Sequence, residues 1–368
     1  MNQKRNKKQV LSLLWRRVRT CLALAVSTFL LTRLASAFPN ATEQFYARGL
    51  YPVIASVLSW ISQWVPFSLD DLLYVLLIVV GLVSLMGMLF RRVKWYSVVA
   101  LWVNTLAAMY MLFYWLWGFN YFRPEMNERL QVQESVPDRT AFLKVMDQLV
   151  EGTNSSHIAF NTLSVQQVDS LVESSYALLS PLLRLNYPAG VRAPKPITFS
   201  HFFAQATISG YYGPFFSEVH LNDYLLPVEY PMVLAHEKAH QLGITSEAEA
   251  NFYAWMVCAQ SGDRYLQYSA NLYVLRYFVY EGYQLEGADT ILKRINPEVR
   301  ADFKRIREHW LGLRDEKIDH YALKVNDAYL KTNQVEKGIE DYTGVVKLVM
   351  DFSMDEEANK RLENLLTN

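Results

Sequence analysis

Cysteine is nearly missing from this chain: Cys21 and Cys258 are the only two in 368 residues. They can build neither a disulfide framework nor a cysteine-based zinc site, and both read as buried free thiols. Such a count permits an oxidising compartment without requiring one. Net charge is missing too, because 36 basic residues cancel 36 acidic ones. No electrostatic footprint for nucleic acid is left over the chain as a whole. The single basic cluster, Lys4, Arg5, Lys7, Lys8, Arg16, Arg17 and Arg19, runs directly into an apolar stretch, where a role in membrane topology fits better than RNA binding.

Long apolar runs are confined to the first 120 residues. Three of them, at 18–38, 72–90 and 96–119, each approach the ~20 residues that a spanning helix needs. The segment 39–69 between the first two carries only Arg48 as a basic residue, whereas Arg91, Arg92 and Lys94 lie between the second and third. Lys and Arg are retained on the cytoplasmic side, so the N-terminus and the Arg91 loop are expected inside and everything after Asn120 outside. Leu34-Ala35-Ser36-Ala37 resembles a signal-peptidase site, and removal of the first span there would leave this orientation unchanged. Phe45 to Val65, with Tyr46, Tyr51, Trp60 and Trp64, is expected to form an interfacial helical hairpin whose aromatics lie at headgroup depth. The expected division is a membrane anchor at 1–119 and an extracytoplasmic domain at 120–368.

The second part reads as mostly helical, with helices over Asp138 to Glu151 and Ser164 to Leu183. Pro196 to Phe199 and Glu218 to Asn222 are short β-type runs separated by Gly210-Tyr211-Tyr212-Gly213-Pro214, which predicts a small antiparallel sheet. The fold class expected is therefore mainly α: three N-terminal transmembrane helices, then a mostly helical α+β domain.

The sequence from Tyr230 to Gly243 has helix punctuation at both ends, Pro231 at a first helical position and Gly243 as terminator. His236 and His240 are four residues apart on one face, so their imidazoles can converge on one ion, with Glu237 beside them. Two imidazoles and a carboxylate suit Zn2+ with one position left open for water, whose proton Glu237 would take as general base. The third ligand is to be found in Thr245-Ser246-Glu247-Ala248-Glu249-Ala250-Asn251. Ser246 and Glu249 have capping-box spacing, which gives Glu249 a structural task and favours Glu247 as the ligand, with Glu249 the alternative. Asn251 shares a helix face with Glu247 and can orient a ligand. Tyr273, Arg276, Tyr277 and Tyr280 are candidates to stabilise an oxyanion. His201 and His220 read as plain surface or core histidines, and the tail from Ile318 as helices whose role is packing.

On these residues the chain resembles a bacterial family of membrane-anchored HExxH proteins, domain of unknown function 3810. The match covers the three spans, the Gly210 to Asn222 approach, the His236 to Asn251 block, and Tyr329 to Gln334 with Gly338. His236-Glu237-x-x-His240 followed by Glu247-x-x-Ala250-Asn251 is also similar to gluzincin peptidases, in which the Glu before an Ala-Asn pair is the third zinc ligand. The gap from His240 to Glu247 is short for that class and nearer metzincin spacing, with Ser246 where a metzincin has its third His. The resemblance implies a zincin-like fold and a multi-pass protein of the bacterial inner membrane with its catalytic domain on the periplasmic side. It also implies zinc-dependent hydrolysis of a peptide or protein substrate. The competing reading is a non-catalytic membrane scaffold or sensor with a structural zinc site. Intramembrane proteolysis is excluded, because His236 lies more than a hundred residues beyond the last apolar run.

Overall fold

The computed structural model describes residues 2–136, 138–158, 163–187, 192–333 and 344–367. Three helices in it are long and apolar enough to cross a membrane: Trp15–Ala37, Leu69–Leu89 and Trp95–Leu116. The first is the later part of helix α1 (Asn2–Ala37). It stops at Phe38 because a residue preceding proline is driven out of the helical region, and Pro39 opens the next helix.

Pro39–Ala41, the π-helical Thr42–Leu50 and helix α2 (Tyr51–Ser62) run on without a break. Pro52 follows the π-helical stretch, in the first turn of α2. Its ring has no N–H to offer the carbonyl of Arg48, so that bond cannot close. Tyr51 N–H reaches back to Tyr46 instead, and the Asn186 side-chain amide donates to the Arg48 carbonyl. The hairpin expected over Phe45 to Val65 is therefore a single helix. Its aromatics also divide: Tyr46 and Tyr51 are turned into the protein, whereas Trp60 and Trp64 are exposed.

Helix α3 (Leu69–Leu89) is capped by Ser68, whose hydroxyl accepts from Asp71 N–H. Helix α4 (Trp95–Leu116) packs on α1, with Trp115 Nε1 donating to Thr28 Oγ1 at 3.3 Å. A short 3-10 helix, Gly118–Phe122, continues directly from α4 into the second part.

That part is mainly helical. Asp138 caps α5 (Arg139–Ser156), and a reciprocal Ser164–Gln167 capping box starts α6 (Val165–Leu179), close to the boundaries expected. The sheet departs from expectation. Strand β1 (Lys195–Pro196) runs parallel to β3 (Glu218–Leu221), and β2 (Gly210–Gly213) runs antiparallel to β3, giving a mixed sheet in the order β1-β3-β2. Helix Ser200–Gln205 carries the chain from β1 across to the far side of β3, which leaves β1 and β3 pointing the same way. Gly210 to Gly213, read as a connector, is itself an edge strand.

Helix α7 (Tyr230–Gln241) carries His236, Glu237 and His240 and packs on β2 and β3. Helix α8 (Glu247–Ala259) is buried on all sides, through Ala250, Phe252, Tyr253, Ala254, Met256, Val257 and Cys258. A helix apolar all round belongs at the centre of a core, and α6, α7, α9 (Arg264–Gly282) and a C-terminal helix, Val345–Met354, surround it. Val345, Val349 and Phe352 enter the main core, so this part of the tail packs as expected. Gln334 and Gly338, also singled out in the tail, lie outside the described residues.

Candidate metal centre

The local signals around His236 and His240 place the helix as expected. Pro231 lies in the first turn of α7, and Gly243 ends the turn after it with φ +87°. A side chain at Gly243 would be strained by that φ and would also press on Tyr51 and Asn120. Past this reversal Ser246 caps α8 by accepting from Glu249 N–H, which puts Glu247 in the first turn, facing α7.

Three donor atoms meet there. His236 Nε2 and His240 Nε2 are 3.1 Å apart, and Glu247 Oε2 is 3.1 Å from the first and 3.6 Å from the second. An ion bound tetrahedrally at the usual zinc distances separates its donors by about 3.3–3.6 Å, so the cluster has the right dimensions. The ring orientations agree with this. His240 Nδ1 is 2.7 Å from the Ile244 carbonyl, which can only accept, and His236 Nδ1 is 2.9 Å from Asn251 Oδ1. Both Nδ1 atoms therefore carry the proton, and in the neutral rings both Nε2 lone pairs point at the cluster. The residues present fit a divalent metal with imidazole and carboxylate ligands.

Charge supports the same reading. Burial opposes charging His240, but the Glu247 carboxylate outweighs it and pushes the imidazole pKa up to about 9. Burial likewise disfavours ionised Glu247, yet His240 and His236 hold its carboxyl well below the usual range. In the metal-free cluster a proton thus occupies the place where a cation is favoured.

Glu237 differs from Glu247 in the direction its pKa moves. It is 4% exposed, and its Oε2, like that of Glu247, has no hydrogen-bond partner. Burial pushes its pKa up against the pull of His236 and His240. Gly210, at the start of β2, lets the backbone come against this carboxylate; a Cβ there would lie 2.9 Å from Glu237 Oε1. Glu249 takes no part in the cluster. Its carboxylate pairs with the Arg129 guanidinium and accepts from Met126 N–H.

Among the oxyanion candidates, Tyr273 and Tyr277 have their hydroxyls 3.3 Å apart, and the Arg276 guanidinium stacks on both rings. Burial raises the Tyr273 pKa first, and the neighbouring Tyr277 adds to it. Tyr280 is 71% exposed. His220 is fully buried on β3, with Nε2 2.8 Å from Ser68 Oγ, and is a core histidine as read; His201 is exposed.

Other residues that shape the site have no local motif. Trp117 Nε1 donates to the His240 carbonyl at 2.9 Å, Tyr51 OH to the Gln241 carbonyl at 2.7 Å, and Arg123 to the Gly243 carbonyl at 2.7 Å. Gly243 N–H already reaches the His240 carbonyl at 3.0 Å; these side chains add to that bond and supply partners for the Gln241 and Gly243 carbonyls. Buried Lys238 anchors the same helix by pairing with Glu173 and donating to the Arg192 carbonyl at 2.7 Å. Tyr121 OH bonds to Tyr329 OH at 3.1 Å, and the Tyr121 ring packs on Trp117. Trp117 and Phe119, at the end of the third apolar run, were the one available signal.

No curated protein and no solved structure matches the chain. A family model described as protein of unknown function (DUF3810) matches residues 46–350, a span that takes in every residue of the centre, and the chain belongs to that family.

Proposed function

We propose that this protein is a zinc metallopeptidase of gluzincin type, with a zincin-like soluble part held at the outer face of a bacterial inner membrane by three spans. The observation that carries the reading is Glu237, a buried carboxylate with an unpartnered oxygen beside a ligand triad. A purely structural site with the same ligands has no use for a base there. The basic N-terminus and the Arg91-Arg92-Lys94 loop support the orientation.

His236, His240 and Glu247 would hold the ion, and zinc in that position supplies Lewis acidity to a water and a substrate carbonyl. Glu237 Oε2 takes the proton of the attacking water and returns it to the departing amine; its raised pKa suits both transfers. Asn251 and the Ile244 carbonyl keep the two imidazoles turned inward. Tyr273, with Arg276 stacked on it, would donate to the oxygen that gains charge. The edge strand β2, with Gly210 against Glu237, offers an extended peptide a backbone to pair with.

The test compares the full chain with Glu237→Gln, in detergent, on a peptide library with zinc content measured for both. One zinc per chain in each and cleavage by the wild type alone supports the proposal. Zinc in both with cleavage by neither favours the scaffold or sensor.

A further inference from the structure

The centre does not stand off from the apolar helices on a linker. Trp117, the residue after α4, bonds to the His240 carbonyl, and its ring lies 6.3 Å from the His240 ring. Arg123 ties the Gly243 carbonyl to Glu43, in the segment between α1 and α3. On the other flank, the start of α3 is clamped to the hairpin that carries Gly210. Glu218 accepts from Leu69 and Asp70 N–H at 2.9 and 3.1 Å, and Asp70 accepts from Phe215 and Phe216 N–H, both at 3.2 Å. Asp71 accepts from Thr198 N–H at 2.9 Å and from the Tyr211 hydroxyl. Trp60, Trp64 and Phe67, just ahead of α3, are all more than half exposed, as residues at a membrane boundary are. The ends of two membrane-crossing helices thus fix the height of the metal ligands and of Glu237, with one layer of side chains between.

A chain leaving a bilayer rises at most about 3.5 Å per residue. Peptide bonds within about five residues of the end of another span can therefore reach this height, while β2 presents an unpaired edge to an extended segment. We propose that the substrates are membrane-anchored polypeptides cut in the juxtamembrane segment just outside their own span. This rests on the peptidase reading above and names its substrate class.

The full chain, reconstituted in nanodiscs, is given one cleavable reporter segment fused to a transmembrane helix through spacers of roughly 3, 6, 12 and 20 residues, about 10 to 70 Å when extended. The same reporter is also supplied untethered. Short-spacer substrates should be cut at least ~10-fold faster than the untethered reporter. The cut should stay within about five residues of the span. Glu237→Gln, carrying the same zinc, should capture the short-spacer substrate uncut through a photo-cross-linker in the reporter. Equal rates on tethered and free reporter, or cleavage that follows the reporter out to the longest spacer, overturn the inference and leave the peptidase reading standing. No cleavage of any substrate by the zinc-loaded wild type overturns both.

Discussion

Trp117 Nε1 donates to the backbone carbonyl of His240 at 2.9 Å, so the residue that follows the third apolar helix closes the end of the helix bearing both histidines. Trp117→Phe keeps an aromatic ring against His240 and removes only the donor. The His240 carbonyl still accepts from Gly243 N–H, so the variant loses one buried hydrogen bond, about 1 kcal/mol. Thermal unfolding of the purified chain in detergent should show a lower Tm for this variant, and an unchanged Tm would mean that the bond contributes nothing.

Asn251 is wholly buried and accepts from His236 Nδ1. Groups that orient a metal-bound imidazole typically carry about 10- to 100-fold in metal affinity. Asn251→Ala should weaken zinc binding by that factor in chelator competition, and Asn251→Asp, which retains an acceptor, should lose less. Equal affinity in all three proteins would show that His236 needs no orienting partner.

Glu247 and Glu249, two residues apart, should fail in opposite ways. Glu247→Gln should abolish stoichiometric zinc. Glu249→Gln should keep it but lose about 3 kcal/mol of stability, because the buried Arg129 guanidinium loses its carboxylate. Metal analysis and thermal unfolding of both variants check this, and the reverse pattern would make Glu249 the ligand.

The same sequence-local chemistry explains what could be read in advance. Pro231, Gly243 and Ser246 punctuate helices through their nearest neighbours, so α7, the reversal and the first turn of α8 were legible, and with them the position of Glu247 beside the two histidines. The capping box at Ser164 and the Asp138 cap belong to the same class. Trp117, Tyr51 and Arg123 meet α7 across 120 residues or more, and nothing local announces such a contact. The partner of the Arg48 carbonyl was hidden as well, because Asn186, far along the chain, supplies the donor that Pro52 lacks. The sheet was misread because a strand as short as Lys195–Pro196 leaves no periodicity, and its direction is set by the crossover through Ser200–Gln205.

Zinc uptake should depend on pH in a defined direction. His240 has a raised pKa of about 9, so its ion pair with Glu247 stabilises the metal-free chain fully below pH 6.5 and is lost as pH rises through 9. Glu247, with its pKa lowered, adds stability that is present above 4.5 and lost on acidification. Zinc must displace the His240 proton, so its apparent affinity should rise about tenfold per pH unit below pH 9 and level off above it. Competition titrations between pH 6.5 and 9.5 test the slope, and a flat profile would show that no ligand proton is released.

The most direct measurement is X-ray absorption at the zinc edge of the full chain loaded with one equivalent of metal, beside Glu247→Gln. The ligand set predicts two imidazoles at about 2.0–2.1 Å and a carboxylate oxygen at about 2.0–2.2 Å, with no sulfur and no further protein donor. The variant, which does not hold zinc stoichiometrically, should show only the spectrum of hydrated zinc. A sulfur shell, a third imidazole or a spectrum unchanged by Glu247→Gln would contradict an open centre built from His236, His240 and Glu247.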